Sequence, residues 1–432
     1  MDHSTLAVVA FIALFVIMAL RVPIGLAMGI VGVAGFSFVA GTNAGLNLLV
    51  NAPVRTMTAY TLSVLPMFIL MGVFASVGGM SRELFQASNA WFGHVRGGLA
   101  TATVLASGGF AAINGSSIAC AATMTRVALP EMERAGYKPG LSAGIIAAGG
   151  TLGVIIPPSV FLLLYGIITE QNVAKLFIAG IVPGLLAIAF YVGTIQILAR
   201  RSPGAMPAGP RVSLPERLSS LRGIWAILLL FLIIIVGMYG GFVTVTEAAA
   251  VGAVGAFLIG VARRQLGARA VLQSLVETLR ITSSIFTIAI GATLFGYFLA
   301  VTRVTQNLTQ FLVELPVSPY MVLALVLLVF IILGALMDEL AVLLLTVPIV
   351  HPAMVALGFD PIWFTLVLVT TITVGMIAPP VGMNVFVINS IARHISLTDI
   401  YRGVLPFVAA DLVRIVLLCA FPALILFLPG LM

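Results

Sequence analysis

The chain has 432 residues, of which 61% are hydrophobic and only 8% charged, and its mean hydropathy is +1.21. Soluble domains carry about 45–50% apolar and about 25% charged residues, so this composition excludes them and indicates an integral membrane protein. The net charge of +7 does not point to a nucleic-acid partner, because the basic residues sit in short connections between apolar stretches.

The apolar stretches are continuous rather than alternating, which predicts membrane-spanning helices and excludes an outer-membrane barrel. Residues 5–20 lack a basic leader and a small-residue cleavage site and read as a retained span. Spans at 22–40 and 60–78 follow, then an amphipathic arm at 81–96. Residues 97–129 are too polar at their centre to cross simply, and read as a re-entrant hairpin with the tip "AAINGSSIACAAT". A broken span, 140–168, contains "TLGVIIPPSV", and helix 173–198 ends the first half. Residues 199–222 are rich in Pro, Ser and Arg and read as a flexible cytoplasmic linker. The second half has spans at 223–242, 244–262 and 281–303, with a second amphipathic arm at 263–280. Residues 335–358 read as a second hairpin, 361–393 as a second broken span containing "TVGMIAPPVG", and 403–429 as the last helix.

Placing the linker in the cytoplasm puts every Lys and Arg on that side except Arg55, Lys175, Arg303 and Arg414. This bias sets orientation, with both termini expected on the non-cytoplasmic side. A shift of 222 positions superposes Pro130 on Pro352, Met132 on Met354, Gly136 on Gly358, Pro139 on Pro361, Gly153 on Gly375, Pro157 on Pro379 and Pro158 on Pro380. The equivalent segments run in opposite directions through the membrane. The predicted fold is therefore an all-α polytopic membrane protein built as an inverted-topology repeat (1–198 and 223–432), with two re-entrant helical hairpins and two broken helices.

Proline breaks the helical ladder, and bare backbone at membrane depth persists only where protein buries it or water reaches it. Such a break frees carbonyl oxygens that can ligate a cation, and it creates a helix N-terminus that favours an anion. Asn114, Ser116 and Ser117 supply polar groups around Gly115 at the first tip; Gly334 and Asp338 occupy the second. Glu247 stands at a helix start and reads as a cap. His94 and His351 read as interfacial, Asp411 and Arg414 as a pair along one helix face, and Cys120 and Cys419 as inert buried thiols. Gly25-x-x-x-Gly29 and Gly237-x-x-x-Gly241 are candidate helix contacts.

The segments "NGSSIACAATM", "LPEMERAGY", "GVIIPPSV", "FVTVTEAAAVG" and "GMIAPPVGMNVFV" resemble the large, DctM-like membrane subunit of tripartite ATP-independent periplasmic (TRAP) transporters over essentially the whole chain. The resemblance implies a sodium-driven, elevator-type importer of a small organic anion. It also implies two partners, a small four-helix membrane subunit and a periplasmic substrate-binding protein, and two or more sodium ions. Carried over by position, it assigns one sodium site to Asn114, Ser116, Gly153, Ile156 and Pro158. A second site falls to Gly334, Gly375, Ala378 and Val381. Relatives carry Ser at 114 and Thr at 378, so Ala378 offers only its carbonyl. Ser116, Ser117, Ser159, Asp338 and Asn384 are the candidates for contact with the solute. Proton coupling through Asp338 is the alternative. The absence of GxxxxGK[ST], HExxH and GxSxG motifs argues against an ATP-driven pump or an intramembrane enzyme.

Overall fold

The computed structural model describes residues 3–202 and 204–432; the first two residues of the N-terminus and Pro203 of the linker lie outside it. Among the described residues the secondary structure is helical, without strands, and nine helices are long and apolar enough to cross a membrane. The first half contains α1 (His3–Ala19), α2 (Ile24–Ala40), α3 (Thr42–Thr58), α4 (Val64–Val77), α5 (Met80–Phe92), α6 (Gly98–Asn114), α7 (Ser117–Val127), α8 (Leu129–Arg134), α9 (Pro139–Ile155), α10 (Val160–Ile168) and α11 (Val173–Arg201). The second contains α12 (Leu214–Tyr239), α13 (Val245–Ala262), α14 (Ala268–Val301), α15 (Val304–Glu314), α16 (Pro319–Leu336), α17 (Glu339–Ala356), α18 (Pro361–Gly375), α19 (Met383–Ile391), α20 (Leu397–Ala420) and α21 (Ala423–Leu426).

Local chemistry sets many of these ends. Ser213 with Glu216 and Thr244 with Glu247 form capping boxes that start α12 and α13, so Glu247 has the capping role read from its position. Asn172, Asp360 and Ser396 accept backbone N–H groups at the starts of α11, α18 and α20. Gly25 lets α2 approach α14 closely; a Cβ there would lie 2.6 Å from the Thr287 carbonyl oxygen. Gly241 instead takes a positive φ of 69° in the turn after α12, so the second GxxxG motif is not a helix contact.

The repeat extends along almost the whole chain. The same shift carries α2 onto α13, α3 and α4 onto the single 34-residue α14, α5 onto α15, the α6–α7 hairpin onto α16–α17, and the α9–α10 pair onto α18–α19. Packing between the halves comes in mirrored couples: α2 on α14 with α13 on α4, α9 on α20 with α18 on α11, and α10 on α17 with α19 on α7. Such reciprocity is what a twofold relation requires.

Five sequence expectations change. The stretch 263–280 is no separate arm: residues 268–280 are the first part of α14, which at about 51 Å is longer than the hydrocarbon core. The mirror of α5 is α15, whose sequence VTQNLTQFLVE has no basic residue to mark it. The second hairpin begins at Pro319 rather than 335, because its first limb, α16, is apolar throughout and reads like a span. The last span ends at Ala420, where Pro422 interrupts it, and not at 429. Finally, the connection between α11 and α12 is pinned rather than loose. Gly97 N–H donates to Met206 O, Lys138 N–H to Ala205 O and Gly209 N–H to Gly93 O, and the Met206 side chain is buried.

Two groups of helices result. One comprises α1–α4 and α12–α14; the other comprises α6–α11 and α16–α20 and carries both hairpins and both breaks. Among the described residues, no side-chain hydrogen bond or ion pair joins the first group to the second.

Candidate functional site

The two proline pairs act through the donors they lack. Just after α9, Pro157 and Pro158 stand four residues beyond Gly153 and Val154, where amide protons would otherwise close the ladder. The Val154 carbonyl is recovered by the Ser159 hydroxyl at 2.6 Å, while the carbonyls of Gly153, Ile156 and Pro158 accept no hydrogen bond among the described residues. In α18, Pro379 and Pro380 do the same to Gly375 and Met376. There the Asn384 N–H reaches the Met376 carbonyl at 3.2 Å, and Ala378 N–H donates to Gly375 O at 3.1 Å. Both proline pairs are joined by a cis peptide bond.

Each hairpin tip docks on the break of its own half. Val160 N–H donates to the Gly115 carbonyl (3.2 Å), and Gly382 N–H donates to the Ala335 carbonyl (3.0 Å). Glycine permits the approach at both places. A Cβ on Gly153 would sit 2.6 Å from the Ser116 carbonyl oxygen, and one on Gly375 would sit 2.6 Å from that of Ile331. The residues assigned to the two ion sites therefore cluster as two mirrored tip-on-break units. Gly115 itself takes φ of +64° and ends α6.

The polar side chains have defined partners. Ser116 and Asp338, equivalent under the repeat, are the N-caps of α7 and α17: Ser116 Oγ accepts from Ala119 N at 3.4 Å and Asp338 Oδ1 from Leu340 N at 3.0 Å. Asn114 donates from Nδ2 to the Ser116 carbonyl at 3.4 Å, and its Oδ1 faces Gly72 of α4. Ser159 caps α10, so its hydroxyl serves Leu162 N–H and the Val154 carbonyl and is 1% exposed. Ser117 and Asn384 are fully buried and bond across the halves: Asn384 Nδ2 donates to Ser117 Oγ (2.8 Å) and to Ala147 O (3.2 Å). These three side chains hold the breaks together rather than facing open space.

Replacing Asn384 with alanine leaves the Ala147 carbonyl and the Ser117 hydroxyl without that donor, at an expected cost of about 1–3 kcal/mol. Thermal unfolding of the purified protein reads this directly. Ser117→Ala should cost less, because Asn384 keeps its bond to Ala147.

Three residues were not legible as parts of this arrangement. Tyr401 of α20 donates its hydroxyl to the carbonyls of Pro380 (2.9 Å) and Val381 (2.6 Å), and nothing in the sequence marks a tyrosine 20 residues away as their partner. Glu339, the equivalent of Ser117, is 5% exposed, lies against the Ser117 backbone, and has an Oε2 without a hydrogen-bond partner. The N-termini of α7 and α17 thus meet where residues related by the repeat touch. His351 is not interfacial: it is buried on α17, with Nδ1 2.8 Å from the Tyr165 hydroxyl of α10, because the hairpin base is packed against the opposite half.

Residues 11–424 match the family described as "Tripartite ATP-independent periplasmic transporter, DctM component". The chain is 40% identical to the C4-dicarboxylate TRAP transporter large permease protein DctM of Pseudomonas aeruginosa, over 87% of this chain and 88% of that one. It is 31% identical to the sialic acid TRAP transporter large permease protein SiaM of Vibrio cholerae, over 95% of each. Among solved structures it shares the fold of the Alcanivorax borkumensis YdaH transporter, with a TM-score of 0.58 at 16% identity, covering 88% of this chain and 89% of that one. The relatives are permease subunits of transporters rather than enzymes. The chain therefore belongs to the DctM component of the tripartite ATP-independent periplasmic transporter family, a multi-pass membrane permease.

Proposed function

We propose that this permease is a sodium-coupled importer of a small organic anion, working by an elevator movement in a bacterial inner membrane with both termini periplasmic. The observation that carries the reading is the pair of tip-on-break units, one from each half. In each, proline removes a donor, and in the first the Gly153 carbonyl is left free inside the protein. A bare carbonyl at that depth is stabilised by a cation more readily than by any group the chain supplies.

Sodium would be held by the backbone carbonyls of Gly153, Ile156 and Pro158 with Asn114 and Ser116 in the first unit. The second unit would use those of Gly334, Gly375, Ala378 and Val381. The ion supplies the positive charge that offsets an anion at the converging N-termini of α7 and α17, beside Ser116 and Asp338. The relatives carry C4-dicarboxylates and sialic acid by name, which supports a carboxylate as the solute. Delivery by a periplasmic binding protein, with a small membrane subunit beside the permease, follows from membership of a tripartite family.

The elevator reading is supported by the boundary between the two helix groups. Among the described residues it lacks side-chain hydrogen bonds, and a cavity of about 390 Å³ on its Arg-poor side is lined largely by apolar residues such as Leu62, Ala289, Leu164 and Leu344. Surfaces of this kind slide without breaking polar contacts. In proteoliposomes with the matched binding protein and small subunit, uptake is expected to stop when sodium is replaced by choline. Imposing a pH gradient should not restore it. Uptake that follows the pH gradient alone would replace sodium with a proton on Asp338 or Glu339.

A further inference from the structure

A second cavity, of about 550 Å³, opens on the Arg-rich side of the same boundary. One wall is formed by the end of α4, the start of α5 and the loop before α14, and includes Arg82, Gln86 and Gln265; the other is the last turn of α7, with Thr123 and Arg126. We propose that Arg82 and Arg126 form an anion site at the cytoplasmic mouth of the transporter, taking the carboxylate of the solute as it leaves the hairpin tip. The proposal deepens the transport reading above and rests on it.

Four observations converge on this site. Neither guanidinium has an ion-pair or hydrogen-bond partner among the described residues. Glu83, the carboxylate lining the cavity, is already paired with Arg263. Two like charges facing one cavity repel, and an oxyanion between them relieves the repulsion with charge-assisted hydrogen bonds.

The surface leading there is continuous. Ser116, Ala119, Thr123 and Arg126 fall at helical spacing on one side of α7, and all four are partly or fully exposed. From the cap to the arginine is about 15 Å along the axis, so the face runs from the tip-on-break unit to the cavity without a bulky side chain.

The repeat does not copy the arginine pair. On the Arg-poor side the position equivalent to Arg126 is Pro348 and that equivalent to Thr123 is Leu345; Pro348 lines the apolar cavity already described. That cavity is lined by a single arginine, Arg55, so the facing pair of guanidinium groups belongs to one face only, the face at which an importer releases its cargo.

The site is tested by the reactivity of a cysteine placed in the cavity, with no need to know the natural solute. Gln86→Cys, in a chain carrying Cys120→Ala and Cys419→Ala, is labelled in nanodiscs with an anionic ethylsulfonate thiosulfonate or a cationic trimethylammonium one. Thr123→Cys gives the same reading from the other wall if the first variant folds poorly. The ratio of anionic to cationic labelling rates should exceed that at an exposed Ser219→Cys by roughly tenfold, given a local potential of order kT. Arg82→Gln with Arg126→Gln should return it to the control value.

A ratio equal to the control, or one that survives loss of both arginines, overturns the proposal. So does a ratio that is high in phosphatidylcholine but collapses when phosphatidylglycerol is added, since the arginines then hold a lipid phosphate. Labelling does not depend on turnover, so failure of sodium-driven uptake and failure of this site are read separately.

Discussion

Arg414→Met is expected to destabilise the permease by about 3–5 kcal/mol, the cost of leaving one partner of a buried ion pair uncompensated. Arg414 and Asp411 are both fully buried on α20, 2.8 Å apart. Tyr191 of α11 donates its hydroxyl to the other Asp411 oxygen at 2.8 Å, and Thr151 of α9 lies 2.9 Å from that hydroxyl. The network ties the last helix of each half to the first broken helix, so its loss loosens the whole hairpin-bearing group. Asp411→Asn should also destabilise, since it strands the guanidinium. The combined Asp411→Leu, Arg414→Met variant should lose less than either single charge removal, because it strands no charge. Thermal aggregation in detergent, followed by gel filtration, gives the order. An Arg414→Met protein as heat-stable as the parent would show that the pair contributes nothing net.

Gly153→Ala and Gly375→Ala are each expected to weaken sodium-driven uptake while leaving a folded protein. The added methyl would meet the Ser116 carbonyl oxygen in one case and the Ile331 carbonyl oxygen in the other, both at 2.6 Å, and backbone cannot rotate aside as a side chain can. Prying the tip from the break costs about 1–3 kcal/mol, and a loss of that size weakens ion binding about fivefold to hundredfold. The sodium concentration for half-maximal uptake should rise accordingly in both variants. Gly193→Ala, where a Cβ meets nothing within 4 Å, serves as the control and should transport normally. If one of the two site variants transports like the control, the two units are not equivalent parts of one site.

Much of this architecture could be read before any coordinates, and for identifiable reasons. Proline and glycine act on the backbone itself, so Pro157-Pro158 and Pro379-Pro380 announced interruptions wherever the chain went. Their common spacing from Gly153 and Gly375 announced that the interruptions were alike. Lys and Arg are held on one side of a membrane by insertion, which is why a one-dimensional count yields an expected orientation. Positions in 263–280 and 304–314 were harder, since an amphipathic stretch can be a surface arm or the end of a long helix, and only its neighbours decide.

Side-chain roles were the least legible part. Ser159 and Asn384 were expected to meet the solute because polar groups beside a break are rare. In the folded protein the breaks themselves consume them: Ser159 takes the Val154 carbonyl, and Asn384 takes Ser117 and Ala147. Tyr401 donates to the Pro380 and Val381 carbonyls from a different helix. The amino-acid order alone thus determined where the helices break and that the halves are inverted copies, because these follow from local backbone chemistry. The tertiary structure alone decided which freed carbonyls stay free and which polar side chains are spent on holding the breaks, because a hydrogen-bond partner 200 residues away is chosen by packing and leaves no local mark.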